Sequence, residues 1–174
     1  MSDAFAHCLR LDQIRDGERI GLIADEGERS AVAERFGLPS LERFEAHAVL
    51  YRTTDGIRAE GRVAASLEQS CVVTGKPVPA HVDEPFSIEF RREPDVRRSD
   101  EEIELDPNDC DVVFHDGSTI DLGSAIADTL ALGLPAYPRS PDSEVVLKEA
   151  GILTEAEASP FAALGQLLKG SSDS

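Results

Sequence analysis

Phe5, His7, Leu9 and Leu11 alternate with Ala6, Cys8 and Arg10, the period of a strand with one buried face. A helix is predicted next. Asp25 stands three residues before Glu28, the spacing of a capping box, and Gly37 followed by Pro39 supplies the stop. Val32 and Phe36, four apart, form its inward side. Alternation returns at Phe44, Ala46, Ala48 and Leu50, breaks at the Thr54-Asp55-Gly56 turn, and resumes through Ile57, Ala59, Gly61, Val63, Ala65 and Leu67 towards Cys71. An Asp-Gly turn between two alternating runs predicts a long antiparallel hairpin. Gly75-Lys76-Pro77 punctuates the next reversal, and Val78 to Phe90 reads as a third and a fourth extended piece, with Phe86, Ile88 and Phe90 on one face.

Arg91 to Pro107 carries no apolar period and predicts a charged, mobile loop over residues 91–108. Order resumes as a short strand at Asp111 to His115, closed by Asp116-Gly117. Leu122, Ala125, Ile126, Thr129, Leu130 and Gly133 then fall on one helix face, with Asp121 placed to cap its start and Pro135 and Pro138 ending it. Two shorter helical pieces follow. One runs from Asp142 to Ala150 and stops at Gly151; the other opens at Ser159-Pro160 with Phe161, Leu164 and Leu168 on one side. The expected fold is α+β: a curved, mostly antiparallel sheet with a long hairpin, one N-terminal helix, one main helix after residue 120 and a short helical tail. Residues 1–139 form the α+β domain in this reading, and residues 140–174 the tail, whose last piece docks either on its own core or on a partner.

Charge changes the picture more than composition does. The chain has 34 acidic and 17 basic residues, a formal charge of −17. From Ser99 to Pro138 there is no Lys or Arg, against ten carboxylates: Asp100, Glu101, Glu102, Glu104, Asp106, Asp109, Asp111, Asp116, Asp121 and Asp128. Such a surface repels phosphate, so binding to naked RNA is expected to be weak, with no role on DNA. A basic protein is the better partner, although an acidic excess also serves solubility alone. The basic residues Arg91, Arg92, Arg97 and Arg98 fall in the charged loop. No apolar run approaches the roughly 18 residues that span a bilayer, and Met1 to His7 lacks the pattern of a secretory signal. Three widely spaced cysteines make no disulfide framework, and a reducing cytoplasm is the expected compartment.

The catalytic motifs are missing. There is no phosphate-cradling glycine loop, no Gly-x-Ser-x-Gly elbow and no His-Glu-x-x-His pair. His7, His47, His81 and His115 are scattered over strands or strand ends, where a lone histidine is ordinarily a hydrogen-bonded structural residue. A calcium loop starting at Asp106 fails because Asp111 stands where the sharp turn demands glycine. Cys71-Val-Val-Thr74-Gly-Lys-Pro has the outline of half a zinc knuckle, but Thr74 offers only a neutral hydroxyl and no second Cys-x-x-Cys exists. Cys71 therefore reads as a core residue at a strand end, and neither metal, cofactor nor enzymatic activity is expected.

Three separated pieces carry a resemblance. Cys71-Val-Val-Thr-Gly-Lys-Pro-Val78 follows the hairpin, Ile120-Asp-Leu-Gly123 opens a helix leading to Leu134-Pro-Ala-Tyr-Pro-Arg139, and Ser159-Pro-Phe-Ala-Ala-Leu164 lies near the end. In this order the chain resembles the YceD-like family, the large ribosomal RNA subunit accumulation proteins, and its helix of Asp25 to Pro39 and Tyr137-Pro138-Arg139 ending look like the alphaproteobacterial branch. Many members carry a second cysteine where Thr74 stands, so nothing attached to that pair transfers. The resemblance implies a bacterial, non-enzymatic factor supporting levels of large-subunit ribosomal RNA. Joined to the charge argument, it suggests docking on a large-subunit precursor or a basic ribosomal protein. The candidate contact residues are Asp100, Glu101, Glu102 and Glu104 in the acidic run, Tyr137 and Arg139 after the main helix, and Phe161 and Leu164 on the tail. Two alternatives compete: a small-molecule carrier or enzyme on the curved sheet, and a generic acidic chaperone for basic proteins. Elemental analysis of the purified protein is expected to find no stoichiometric zinc; about one zinc per chain would instead point to Cys71 with a histidine such as His81.

Overall fold

The computed structural model describes residues 5–93, 111–115 and 117–152. In chain order the elements are β1 (Cys8–Arg10), β2 (Glu18–Ile23), α1 (Glu26–Phe36), β3 (Ser40–Arg52), β4 (Gly56–Ser70), β5 (Pro77–Arg92), β6 (Asp111–His115), β7 (Thr119–Asp121), α2 (Leu122–Leu132) and α3 (Ser143–Glu149). The architecture is α+β. A five-stranded sheet has the order β2-β3-β4-β5-β6, and β1 pairs with β7 in a separate two-stranded sheet. The pairs β2–β3, β3–β4 and β1–β7 are antiparallel, whereas β6 runs parallel to β5. Packing divides the chain into two units, Met1–Gln69 with Pro79–Ala136, and Ser70–Val78 with Tyr137–Ser174.

The first unit is held by one face of the hairpin. Phe44, Ala46, Ala48 and Leu50 on β3 are buried together with Ile57, Ala59, Val63, Ala65 and Leu67 on β4. Leu22 of β2 and Val82, Phe86, Ile88 and Phe90 of β5 extend this layer, and Val32 of α1 with Leu122, Ile126 and Leu130 of α2 belong to the same core. The register shows why the period matters: Ala48 stands opposite Gly61 and Leu50 opposite Ala59, so the inward rows of β3 and β4 coincide. Aromatics are scarce, and the Phe5 and Phe44 rings meet at 4.8 Å in a tilted pair inside this core.

Both long helices start as their sequences require. Asp25 accepts from the Glu28 N–H at 2.8 Å while the Glu28 carboxylate accepts from the Asp25 N–H at 2.8 Å, a complete capping box. The helix ends where Leu38 N–H reaches the Ala33 carbonyl and Gly37 N–H reaches Glu34. At α2, the Asp121 carboxylate accepts from Ser124 N–H at 3.1 Å and also from His7 N–H at 2.9 Å. Leu122 N–H in turn donates to the His7 carbonyl. One side chain thus ties the N-terminal strand to the start of α2. Gly123 is required there, since a Cβ would strike the Phe5 carbonyl and crowd His7.

The structure departs from the sequence reading at four places. Val78 to Phe90 is not two pieces but one 16-residue strand, β5, in spite of Pro79 and Pro85. Arg91 and Arg92 end that strand and do not belong to the charged loop. The Phe5–Leu11 alternation yields only a three-residue strand, because β7, its partner, is itself three residues long. Strands β2 and β7 were not anticipated. Residues 94–110, including most of the expected loop, and the helix expected at Ser159 lie outside the described residues.

Replacing Asp121 by Ala leaves two N–H donors without their acceptor. Urea denaturation is expected to show a loss of about 1–2 kcal/mol, and Asp121→Asn, which keeps an acceptor oxygen, a smaller one.

Candidate functional site

The second unit is organised around a turn and a loop. After β4 the chain reverses through Cys71–Lys76, closed by Cys71 N–H to the Lys76 carbonyl at 2.8 Å and Gly75 N–H to the Cys71 carbonyl at 2.9 Å. The loop that leads into α3 lies against this turn, with Val72 N–H donating to the Pro138 carbonyl at 2.9 Å. At their junction the Cys71 sulfur, buried at 3% exposure, receives the Thr74 N–H at 3.4 Å, the Ser140 N–H at 3.2 Å and the Ser140 hydroxyl at 3.3 Å. With the Ser140 hydroxyl donating to sulfur, the Thr74 hydroxyl 3.0 Å away donates to Ser140 and accepts from Lys76 N–H at 3.3 Å. The result is a chain of donors that ends on one thiol, each bond polarising the next. Lys76 also forms an ion pair with Asp142, just before α3.

The electrostatics follow from this geometry. Burial pushes the Cys71 thiol up, but the hydrogen bonds donated by Ser140 and Thr74 outweigh it and hold the group at about 6 instead of the ordinary 9.0. Lys76 beside Asp142 lowers that carboxyl to about 2. Thr74, a poor zinc ligand in the sequence reading, here serves as a hydrogen-bonding link. Among the described residues no group of three or more His, Cys, Asp and Glu side chains is placed to hold a metal ion.

The candidate contact residues separate into two classes. Tyr137 is 79% exposed and Arg139 is exposed with no ion-pair partner among the described residues, both on the loop that Ser140 pins to Cys71. Val72, on the turn bonded to Pro138, is also exposed. Asp100, Glu101, Glu102, Glu104, Phe161 and Leu164 lie outside the described residues. Two other members of the acidic run have structural work: Asp121 caps α2, and Asp128 pairs with Arg35 at 2.7 Å. Asp111 is exposed at the start of β6.

On the outer face of the sheet the strands collect charge that no local pattern in the sequence announces. Register places Gly21, His47 and Arg62 side by side, with Arg19, Val49 and Glu60 in the next row, and these residues line an open groove. Arg62 is already engaged with Asp83 and Arg43 with Glu45. Arg91 pairs with the buried Glu89 at 2.6 Å. A second groove contains Arg10 and Arg52, of which Arg10 pairs with Asp12 and Arg52 donates to the Leu11 and Ile14 carbonyls. Arg62 in the first groove and Arg10 and Arg52 in the second are thus committed to neighbours, whereas Arg19 has no ion-pair partner among the described residues. Alternation marked these positions as outward in the sequence, but only the pairing of strands tells which outward residues meet.

No helix among the described residues is long and apolar enough to cross a membrane. A family model described as Large ribosomal RNA subunit accumulation protein YceD matches residues 59–168. No curated protein and no solved structure matches the chain.

Because the thiol pKa is lower in the folded than in the unfolded chain, its contribution to stability is full above about pH 9 and is lost as pH falls towards 6. The Cys71–Ser140 junction is therefore expected to resist denaturant better at pH 9 than at pH 6, and Cys71→Ala to remove that difference. Hydrogen exchange at the Val72 and Ser143 amides reads the outcome; an equal pH dependence in the variant refutes it.

Proposed function

The chain belongs to the YceD family of large ribosomal RNA subunit accumulation proteins, and from that premise we propose that it acts as a non-enzymatic cytoplasmic factor that docks a basic ribosomal protein or large-subunit precursor on its acidic surface. The charge balance carries this reading. Each ion pair among the described residues consumes one cation with one carboxylate, as in Arg10–Asp12, Arg35–Asp128 and Arg62–Asp83. One-to-one pairing leaves the surplus of acid that gives the chain its charge of −17. Such a surplus attracts a basic protein at long range and repels an RNA backbone.

Within the acidic run, Asp121 and Asp128 have internal partners, which favours Asp100, Glu101, Glu102 and Glu104 as the contact carboxylates. The exposed Tyr137 and Arg139, the latter with no ion-pair partner among the described residues, supply a second contact of the residue types that anchor protein interfaces. The competing readings, a small-molecule carrier and a generic acidic chaperone, gain little from the two open grooves, where Arg62, Arg10 and Arg52 are bonded to neighbouring groups.

Sedimentation of a cell lysate tests the proposal. The protein is expected to migrate with large-subunit precursors at low ionic strength and to leave them as salt rises. Changing Asp100 and the three glutamates Glu101, Glu102 and Glu104 to Asn or Gln is expected to weaken binding to basic ribosomal proteins, most strongly at low salt. Unchanged binding by that variant, together with tight binding of naked ribosomal RNA by the parent, would overturn the acidic-surface reading.

A further inference from the structure

The helix α3 is held at one end and bare along its length. Its start is fixed by the Lys76–Asp142 ion pair and by Ser143 N–H on the Ser140 carbonyl at 3.0 Å. Beyond that point Ser143 is its only buried residue. Val145 is 57% exposed, Val146 39% and Ile152, just past its end, 54%. A seven-residue helix does not hold by itself in water, where isolated helices below about 12–15 residues are marginal. Something must cover this apolar side, and the neighbouring chain is suited to do so.

The end of α3 is closed at a defined residue. Gly151 has φ of 74°, with its N–H on the Lys148 carbonyl, and Ile152 N–H bonds to the Leu147 carbonyl at 2.9 Å. This paired closure around a left-handed glycine stops a helix and turns the chain off its axis. Six residues, 153–158, then lead to Ser159-Pro160. Antiparallel helices in bundles are joined by about 2–8 residues. The segment that follows carries Phe161, Leu164 and Leu168 at positions i, i+3 and i+7, the apolar stripe of one helix side. Charge agrees with the same direction: antiparallel packing brings Lys169 towards Glu144 at the start of α3.

We propose that the occupant of the exposed Val145, Val146 and Ile152 side is residues 159–168 of the same chain, folded back on α3 as a helical hairpin. Phe161 and Leu164 are then internal packing residues of the second unit and not contacts for a ribosomal partner. This proposal stands apart from the reading of the acidic surface, since neither the carboxylates nor a partner enters it.

Hydrogen exchange on the full chain, followed by mass spectrometry of its peptides, tests this directly. Amides of residues 161–168 are expected to exchange at least about tenfold slower than an unstructured chain, at a rate independent of protein concentration. Val145→Asp combined with Val146→Asp is expected to abolish that protection while leaving β3 and β4 amides as they are. Conversely, Leu164→Asp should speed exchange in α3. Unprotected amides at 161–168 in the parent, or protection that survives the valine substitutions, would overturn the proposal. So would protection that grows with protein concentration, which assigns the face to a second copy, or that arises only after ribosomal proteins are added, which assigns it to a partner.

Discussion

A single carboxylate joins the ends of the first unit. Asp121 receives two N–H groups on one oxygen, from His7 and Ser124, while the His7 carbonyl receives Leu122. Strand β1, strand β7 and the first turn of α2 are thereby fixed together, and Gly123 allows the two backbones to approach at that junction. Apolar burial supplies most of the stabilisation of the unit, but burial has no direction. The hydrogen bonds of Asp121 select which backbone segment sits at the helix start, and so they determine where α2 lies on the core. An acidic stretch that reads as one surface in the sequence is in fact divided, with part of it given to this internal duty.

The elements most legible in the sequence are those whose boundaries are chemically marked. Asp25 and Glu28 announce α1, Asp121 announces α2, Gly151 closes the helix after Asp142, and Asp55-Gly56 marks the hairpin. Strand β2 escaped because it is an edge strand with Leu22 as its only buried residue, so its period is short and weak. The sequence of β5 reads as two pieces because Pro79 and Pro85 normally interrupt pairing. The short pair of β1 and β7 depends on residues 114 positions apart, and no local pattern announces such a partner.

The site was less legible for the same reason. Cys71 and its turn were visible, and so were Tyr137 and Arg139, but the link between them runs through Ser140, 69 positions from the cysteine. A serine between Arg139 and Pro141 carries no signal of its own. Once it is in place, it explains why an exposed tyrosine and arginine sit on a loop of defined course: that loop is secured by bonds to a buried sulfur and by an ion pair, with little apolar surface to hold it. The first unit is held by shape and the Cys71–Ser140 junction of the second by polar contacts, which specify geometry more sharply than they stabilise it.

The pairing of β1 with β7 has a consequence for how the chain is made. Synthesis proceeds from the N-terminus, so Cys8–Arg10 exists long before Thr119–Asp121. The strands β2, β3 and β4 are neighbours in both sequence and space and can pair as they appear. Closing a loop over 114 positions costs more entropy than closing the hairpin and must wait for its partner. Strand β1 leaves the ribosome well before β7 and is therefore among the last to find its place, and until then the backbone of His7 and Leu9 is open to whatever else is nearby.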